Sequence, residues 1–390
     1  MTPPRNARWL TSRLDDVGPR ADLAWALGQR ITIPAALVES GGVGISDNDG
    51  IHVLQQIAGT AEDVEGLRLR AAFTNKRPLS SLLPFSYQRV NPRIRSLIAK
   101  GLGLTSRLST KPITSAGSSF PDFPLDLSAD FLADLAGGPP SCCDKPTPVV
   151  LTHDLDSHEG LINFISRFAP LEEEFGGRSS NFVPACAWPL DHERLTSLRK
   201  LGHEVGVHGF DHSNRTAFLP QTKRDQRLDA ATPLWKQYDA TGYRAPSLLR
   251  TRILLASLAG RYQYDSSIPT AGGLFPVPNN GCATARPFIV EGIAELPLSM
   301  PRDGSLRFLG YSPEAIFRIW LECADRIAAS GGVVVLLTHC EDRFSGNDAM
   351  LKTYRSFLEY VAKSKQYFFS TPINVLRQAN LIPQHRENNT

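Results

Sequence analysis

Pro148-Val149-Val150-Leu151-Thr152-His153-Asp154-Leu155-Asp156-Ser157-His158 is the stretch on which the reading of this chain turns. Its first four residues are a short apolar run, the pattern of a strand buried on both faces, and two carboxylates follow where such a strand would give way to a loop. Burying a carboxylate without a partner is costly. Two of them, two positions apart at a strand end, suit a division of labour in which one ligates a cation and the other moves a proton, because like charges so close need positive charge between them. The plain alternative is a turn, since Asp-x-Asp is common in loops. The choice depends on what lies downstream.

From about Pro146 onward, short apolar runs alternate with helical stretches, the pattern of a β/α architecture with a parallel sheet. Strands are expected at 149–151, 181–187, 204–207, 242–245, 262–265, 294–298, 333–338 and 367–370. Helices are expected at 158–175, 191–200, 221–240, 250–259, 312–330 and 348–363. The fifth helix opens with Ser312-Pro313-Glu314, an N-cap followed by Pro at the first helical position. About 245 residues with seven or eight strands suit a TIM-like barrel, in which chemistry gathers where strands end. The expected organisation is an N-terminal α+β extension, 1–146, packed on an α/β barrel, 147–390. Within the extension, 22–27 and 94–100 read as helical turns. The stretch 41–50 reads as a loop, and 137–141 as a linker. The Pro-punctuated stretch 118–126 suits a segment lying along the barrel or over a cleft.

The expected strand ends carry an unusually reactive set. The third is followed by His208-Gly209-Phe210-Asp211-His212, whose four-residue spacing, on a helical turn, would put both imidazoles on one face, able to share a divalent ion. The fourth ends in Tyr243-Arg244-Ala245-Pro246-Ser247, the fifth in Asp265-Ser266-Ser267 and a late one in Leu336-Leu337-Thr338-His339. Each has an ordinary explanation alone: capping histidines, a salt-bridged arginine, an acid that ends its strand. Their joint occurrence, in this order, favours one shared pocket.

This ordered set resembles the motifs of the polysaccharide deacetylases, the NodB-homology group or carbohydrate esterase family 4, over about residues 148–345. The T-F-D-D motif corresponds to Thr152 to Asp156, the H-x-x-x-H motif to His208 and His212, R-x-P to Arg244-Ala245-Pro246, a further Asp motif to Asp265, and L-x-H to Leu337-Thr338-His339. The resemblance implies a distorted (β/α)7 barrel and a metal-dependent hydrolase that removes an N-acetyl group from an amino sugar. It assigns Asp156, His208 and His212 to one divalent metal, zinc, and Asp154 to the general base, paired with Arg244. The oxyanion falls to the metal and a backbone N–H near Pro246 and Ser247, and the acid is His339, oriented by Asp265 or Asp303. The sequence departs from the family at Asp154-Leu155-Asp156, where the family has adjacent aspartates, so base and ligand roles could be exchanged. It also has Ser247 where Tyr is usual. Tyr311, Trp188 and Phe210 are candidates for sugar stacking or plain core packing. Sister activities on the same fold, allantoinase-like or formamide-cleaving, and a non-catalytic carbohydrate-binding barrel are the rivals.

Composition narrows the classes further. Lys and Arg number 42 against 39 Asp and Glu, and this balance leaves no footprint for nucleic acid or an anionic membrane. No run approaches the ~18 apolar residues of a membrane span, and no apolar core follows the first residues as in a secretory signal, so a cytoplasmic home is expected, and the saccharide bearing N-acetyl groups that the resemblance implies would then be an intracellular precursor. The six cysteines form no C-x-x-C pair and are expected to be reduced and mostly buried.

Overall fold

The computed structural model describes residues 61–82, 125–127, 129–130, 146–271 and 281–384, with isolated positions at 94, 97, 101 and 133. The expected turn at 22–27, the loop at 41–50 and the linker at 137–141 lie outside the described residues, as do most of 94–100 and 118–126.

The sheet is built outward from β1 (Thr147–Asp154), which is buried almost throughout because it is flanked on both edges. Six further strands run parallel to it: β2 (Ser179–Val183), β3 (Glu204–Val207), β4 (Gly242–Tyr243), β5 (Tyr264–Asp265), β7 (Ile293–Glu295) and β8 (Val334–His339). The spatial order is β7-β5-β4-β3-β2-β1-β8. A short β9 (Tyr367–Phe369) pairs with the start of β1. β9 is parallel to β1 as well, but lies off the main path; the seven parallel strands on that path are those of the expected distorted barrel.

One strand was not legible. β6 (Phe288–Val290) is antiparallel to β7, joined to it by Glu291 and Gly292, whose φ angles of 49° and 81° match a two-residue hairpin turn. Glu-Gly is a weaker hairpin signal than Asn-Gly, so the reversal is hard to read from sequence. Several strands are shorter than expected. β2 stops at Val183 because Pro184 has no N–H to offer the next rung.

The sheet curls but does not close through a ladder. Instead the segment after β7, interrupted by Pro297 and Pro301, lies against β8. Met300 N–H donates to Val335 C=O at 3.2 Å, while Ser299 Oγ donates to Val333 C=O (2.6 Å) and accepts Val335 N–H (2.8 Å). Val150, Leu296, Leu298, Val333, Val335 and Leu337 fill the space enclosed.

Helices cover the outside. The expected helix at 158–175 is α2 (His158–Asn163), a single π turn at Phe164–Phe168 and α3 (Ala169–Glu174); the wider turn falls next to Pro170, which cannot donate to the turn before it. The 221–240 stretch likewise splits into α5 (Gln221–Asp229) and α6 (Thr232–Tyr238) at Pro233. The helix over 312–330 is α9 (Pro313–Ala329), with the Ser312 hydroxyl accepting Ala315 N–H as the N-cap. α10 (Asp348–Lys363) packs beside it. Two short helices of the barrel region, α8 (Asp303–Phe308) and α11 (Pro372–Gln378), were not expected from the sequence, nor was the helix at Ala61–Arg70.

The described part of the extension touches the barrel. α1 (Ala61–Arg70) leads to Ala72, buried in the main core, and the buried Arg250 donates from Nε to Ala72 C=O at 2.6 Å. Asp130 accepts Ala285 N–H at 2.8 Å and bonds the Thr284 hydroxyl.

Candidate active site

Asp154 and Asp156 leave the C-terminal end of β1, and His208 and His212 follow β3. One ligand atom each from Asp156, His208 and His212 lies within 4.8 Å of the others, all three residues buried. Asp156 Oδ1 is 3.1 Å from His212 Nε2 and 3.4 Å from His208 Nε2, yet it has no hydrogen bond. The spacing of the histidines does not act through a helical turn. Gly209 and His212 both have left-handed φ, 65° and 55°, and the loop they shape brings the rings to 5.0 Å between centroids.

That loop is anchored. Its backbone carbonyls at Gly209 and Phe210 accept from the Ala185 and Cys186 N–H groups, and Arg227 binds Asp211 through Nη1 and Nη2, at 2.8 and 3.2 Å, while covering the Phe210 ring. Phe210 is therefore occupied from within the protein. Trp188 and Tyr311, the other stacking candidates, pack partly against the main core.

The set suits a cation. A buried carboxylate oxygen that faces two imidazole nitrogens without a hydrogen bond is what a shared positive ion would satisfy. His208 Nδ1 lies 3.0 Å from the Arg244 carbonyl, which only accepts, so Nδ1 carries the proton and neutral His208 presents a lone pair at Nε2. Burial lowers the His208 pKa, but Asp154 and Asp156 outweigh it and hold it above the ordinary value. A divalent ion would compete with that proton, so binding there would release protons.

Asp154 faces the same centre. Arg244, fully buried, donates from Nη1 to Asp154 Oδ1 at 3.0 Å and to Thr152 Oγ at 3.1 Å, with its other nitrogens on Ser266 and its plane over Phe182. Burial alone would raise the Asp154 pKa; His208 and Arg244 more than offset it and hold the carboxylate ionised below the usual range. The same opposition, with His212 the main offsetting charge, holds Asp156 well below it.

His339 ends β8 in register with Asp154. Its Nδ1 lies 2.8 Å from Asp303 Oδ1, and its backbone N–H donates to Asp303 Oδ2 at 2.8 Å; Ser345 and Gly304 also donate to that carboxylate. Burial would lower the pKa of this imidazole, but Asp303 outweighs it and pushes it up to about 9. Asp303, at the start of α8, is thus the partner of His339. Asp265 is not: it accepts from the Ser267 N–H and hydroxyl and pairs with Glu295. Burial raises both of these acids, Glu295 well above its ordinary value. Ser267 Oγ in turn accepts Ala245 N–H at 2.8 Å, so Asp265 braces the segment that leaves β4 and carries Arg244.

Pro246 is buried against Gly209, where an added Cβ would lie 2.6 Å from Pro246 Cδ. Ser247 is exposed at the rim with φ 53°, and Leu248 follows at φ 56°.

One acid had no signal in the sequence. Glu341 is buried two residues past His339, with Oε1 accepting from Ser157 Oγ at 2.7 Å and Oε2 without a hydrogen bond. Burial, then the charge of Asp156, pushes it up to about 7. A single Glu in a loop has no spacing to betray it. Cys340, also beside His339, is buried, as are Cys282 and Cys323, whereas Cys186 is exposed.

Neither a protein-family model nor a curated protein matches this sequence. Solved structures do. A protein described as a polysaccharide deacetylase from Mycobacterium smegmatis is 18% identical with a TM-score of 0.50, the match covering 63% of this chain and 95% of that one. One from Pseudomonas aeruginosa PAO1, also described as a polysaccharide deacetylase, is 14% identical with a TM-score of 0.49, over 69% of this chain and 100% of that one. Puue allantoinase is 16% identical at 0.48, over 66% and 97%. At these identities the first of them speaks for the fold, which is the barrel expected from the motifs.

Proposed function

We propose that this chain is a metal-dependent hydrolase that removes an N-acetyl group from an amino sugar, in a glycan or a glycan precursor. The observation that carries the reading is the convergence of Asp156, His208 and His212, with Asp156 Oδ1 buried and unbonded among them. Those three would hold one divalent cation, with zinc fitting a two-imidazole, one-carboxylate set. Such an ion supplies charge stabilisation at the acyl oxygen and acidifies water. Asp154, kept ionised by Arg244, takes the proton of the attacking water as general base. His339, kept protonated by Asp303, returns a proton to the departing amine nitrogen. The base and the acid come from adjacent strands at the same level. A backbone N–H near Pro246 and Ser247 would share the oxyanion.

The test is metal analysis of the purified wild type and of His208→Ala, beside an acetate-release screen over N-acetylated sugars. One equivalent of a divalent metal, lost in the variant together with acetate release, is expected. Formate or a ureide product in place of acetate would redirect the activity to a sister amide. Wild-type protein that binds no divalent metal would overturn the reading.

A further inference from the structure

A second polar cluster lies behind the site, between the sheet and the helices, and takes no part in the proposed chemistry. Glu172 on α3 is fully buried and accepts from Tyr354 Oη of α10 at 2.8 Å. The same Glu172 Oε1 is 2.7 Å from His153 Nε2. The other ring nitrogen, Nδ1, is 2.8 Å from Thr338 Oγ1. Phe164, Phe168 and Tyr354 pack around the imidazole at 5.1 to 5.9 Å, shutting out water. His203 adds no second cation, because its Nδ1 accepts the Ser179 N–H and so carries no proton toward Glu172.

His153 and Thr338 face each other across the β1–β8 ladder, and the next rung is Asp154 opposite His339. The bond between the outward-facing pair therefore sits one residue before the inward-facing base and acid. Both strands end there, where backbone pairing alone restrains them least. A slip or twist of either end would move the base relative to the acid, and displacements of about 1 Å at reacting groups can cost ~10²-fold in rate.

We propose that Tyr354, Glu172, His153 and Thr338 form a positioning relay that sets the separation and tilt of Asp154 and His339. The inference rests on the deacetylase reading for what that geometry is used for, but not for its existence. Helices α3 and α10 fix Glu172, Glu172 fixes the ring of His153, and His153 holds Thr338 across the ladder.

Thr338→Val keeps the shape and removes the hydroxyl, and Thr338→Ser restores it. In the Val variant, kcat should fall about tenfold or more with KM unchanged, the Ser variant should recover most of the loss, and the His339 ring resonances in the NMR spectrum should move. Glu172→Gln, which keeps the volume, should move the same resonances in a folded protein if the Val variant does not fold. A purely packing role would lower the unfolding temperature yet leave kcat of the folded protein and the His339 signals where they were, and that result overturns the proposal. If the wild type releases no acetate from any sugar, the deacetylase reading fails while the NMR comparison still decides the relay.

Discussion

At the scale of single residues, the site is a set of charges that burial would neutralise and neighbours keep ionised. His339 is the sharpest case, since Asp303 holds its imidazole protonated to about pH 9 against the cost of burial. The folded pKa lies above the ordinary 6.5, so this pair's contribution to stability is complete below that value and is lost as pH rises through about 9. If His339 is the acid, kcat/KM should fall on the alkaline side as that proton leaves. Asp303→Asn should shift the alkaline limb toward lower pH and reduce kcat by ~10²-fold, within the range for a general acid; an unmoved limb in a pH-rate profile would remove His339 from that role. The aspartates, histidines and Arg244 were readable because each follows an apolar run at a recognisable spacing. Asp303 was readable only as an alternative to Asp265, and Glu341 not at all, because acids away from the strand ends reach the pocket through folding and carry no local pattern.

At the scale of elements, the loop after β3 does what a helical turn was expected to do, by different means. Left-handed Gly209 and His212 and the Arg227–Asp211 clamp aim His208 and His212 at one oxygen. Gly209 cannot take a side chain there without both a strained φ and a collision with Pro246. Gly209→Ala is expected to cost ~1–2 kcal/mol for the left-handed conformation alone, more with the clash, and to weaken metal binding. Denaturant unfolding and a metal titration would measure the two effects separately. Arg227→Ala should leave the fold intact and loosen the loop, lowering metal affinity ~10-fold as outer-shell changes do; unchanged affinity would show that the backbone bonds to Ala185 and Cys186 suffice.

At the scale of the whole molecule, the barrel is held shut, where a ladder would normally run, by the Ser299 hydroxyl together with the backbone bond from Met300 to Val335. Ser299 stands between Val333 C=O and Val335 N–H, both otherwise unpaired toward that side, so Ser299→Ala should cost ~1–3 kcal/mol, the penalty for buried polar groups left unsatisfied. A lowered thermal midpoint with metal content unchanged is the expected signature. The extension contributes at the same scale, since Ala72 and Thr74 bond Arg250 close after the Ser247–Leu248 bend. Among the described residues no helix is long and apolar enough to cross a membrane.

Local patterning determined a good deal of this protein. The apolar run before Asp154, the alternation of strands and helices after it, and the order of reactive residues at the strand ends were enough for the barrel and for most of the candidate site, because period and spacing are properties of adjacent residues. Only the tertiary structure decided that Asp303 and not Asp265 holds His339, that a left-handed loop and not a helix joins the two histidines, and that the Ser299–Met300 segment closes the barrel. Those outcomes depend on which distant segments are forced into contact when the sheet curls, and no local period encodes that.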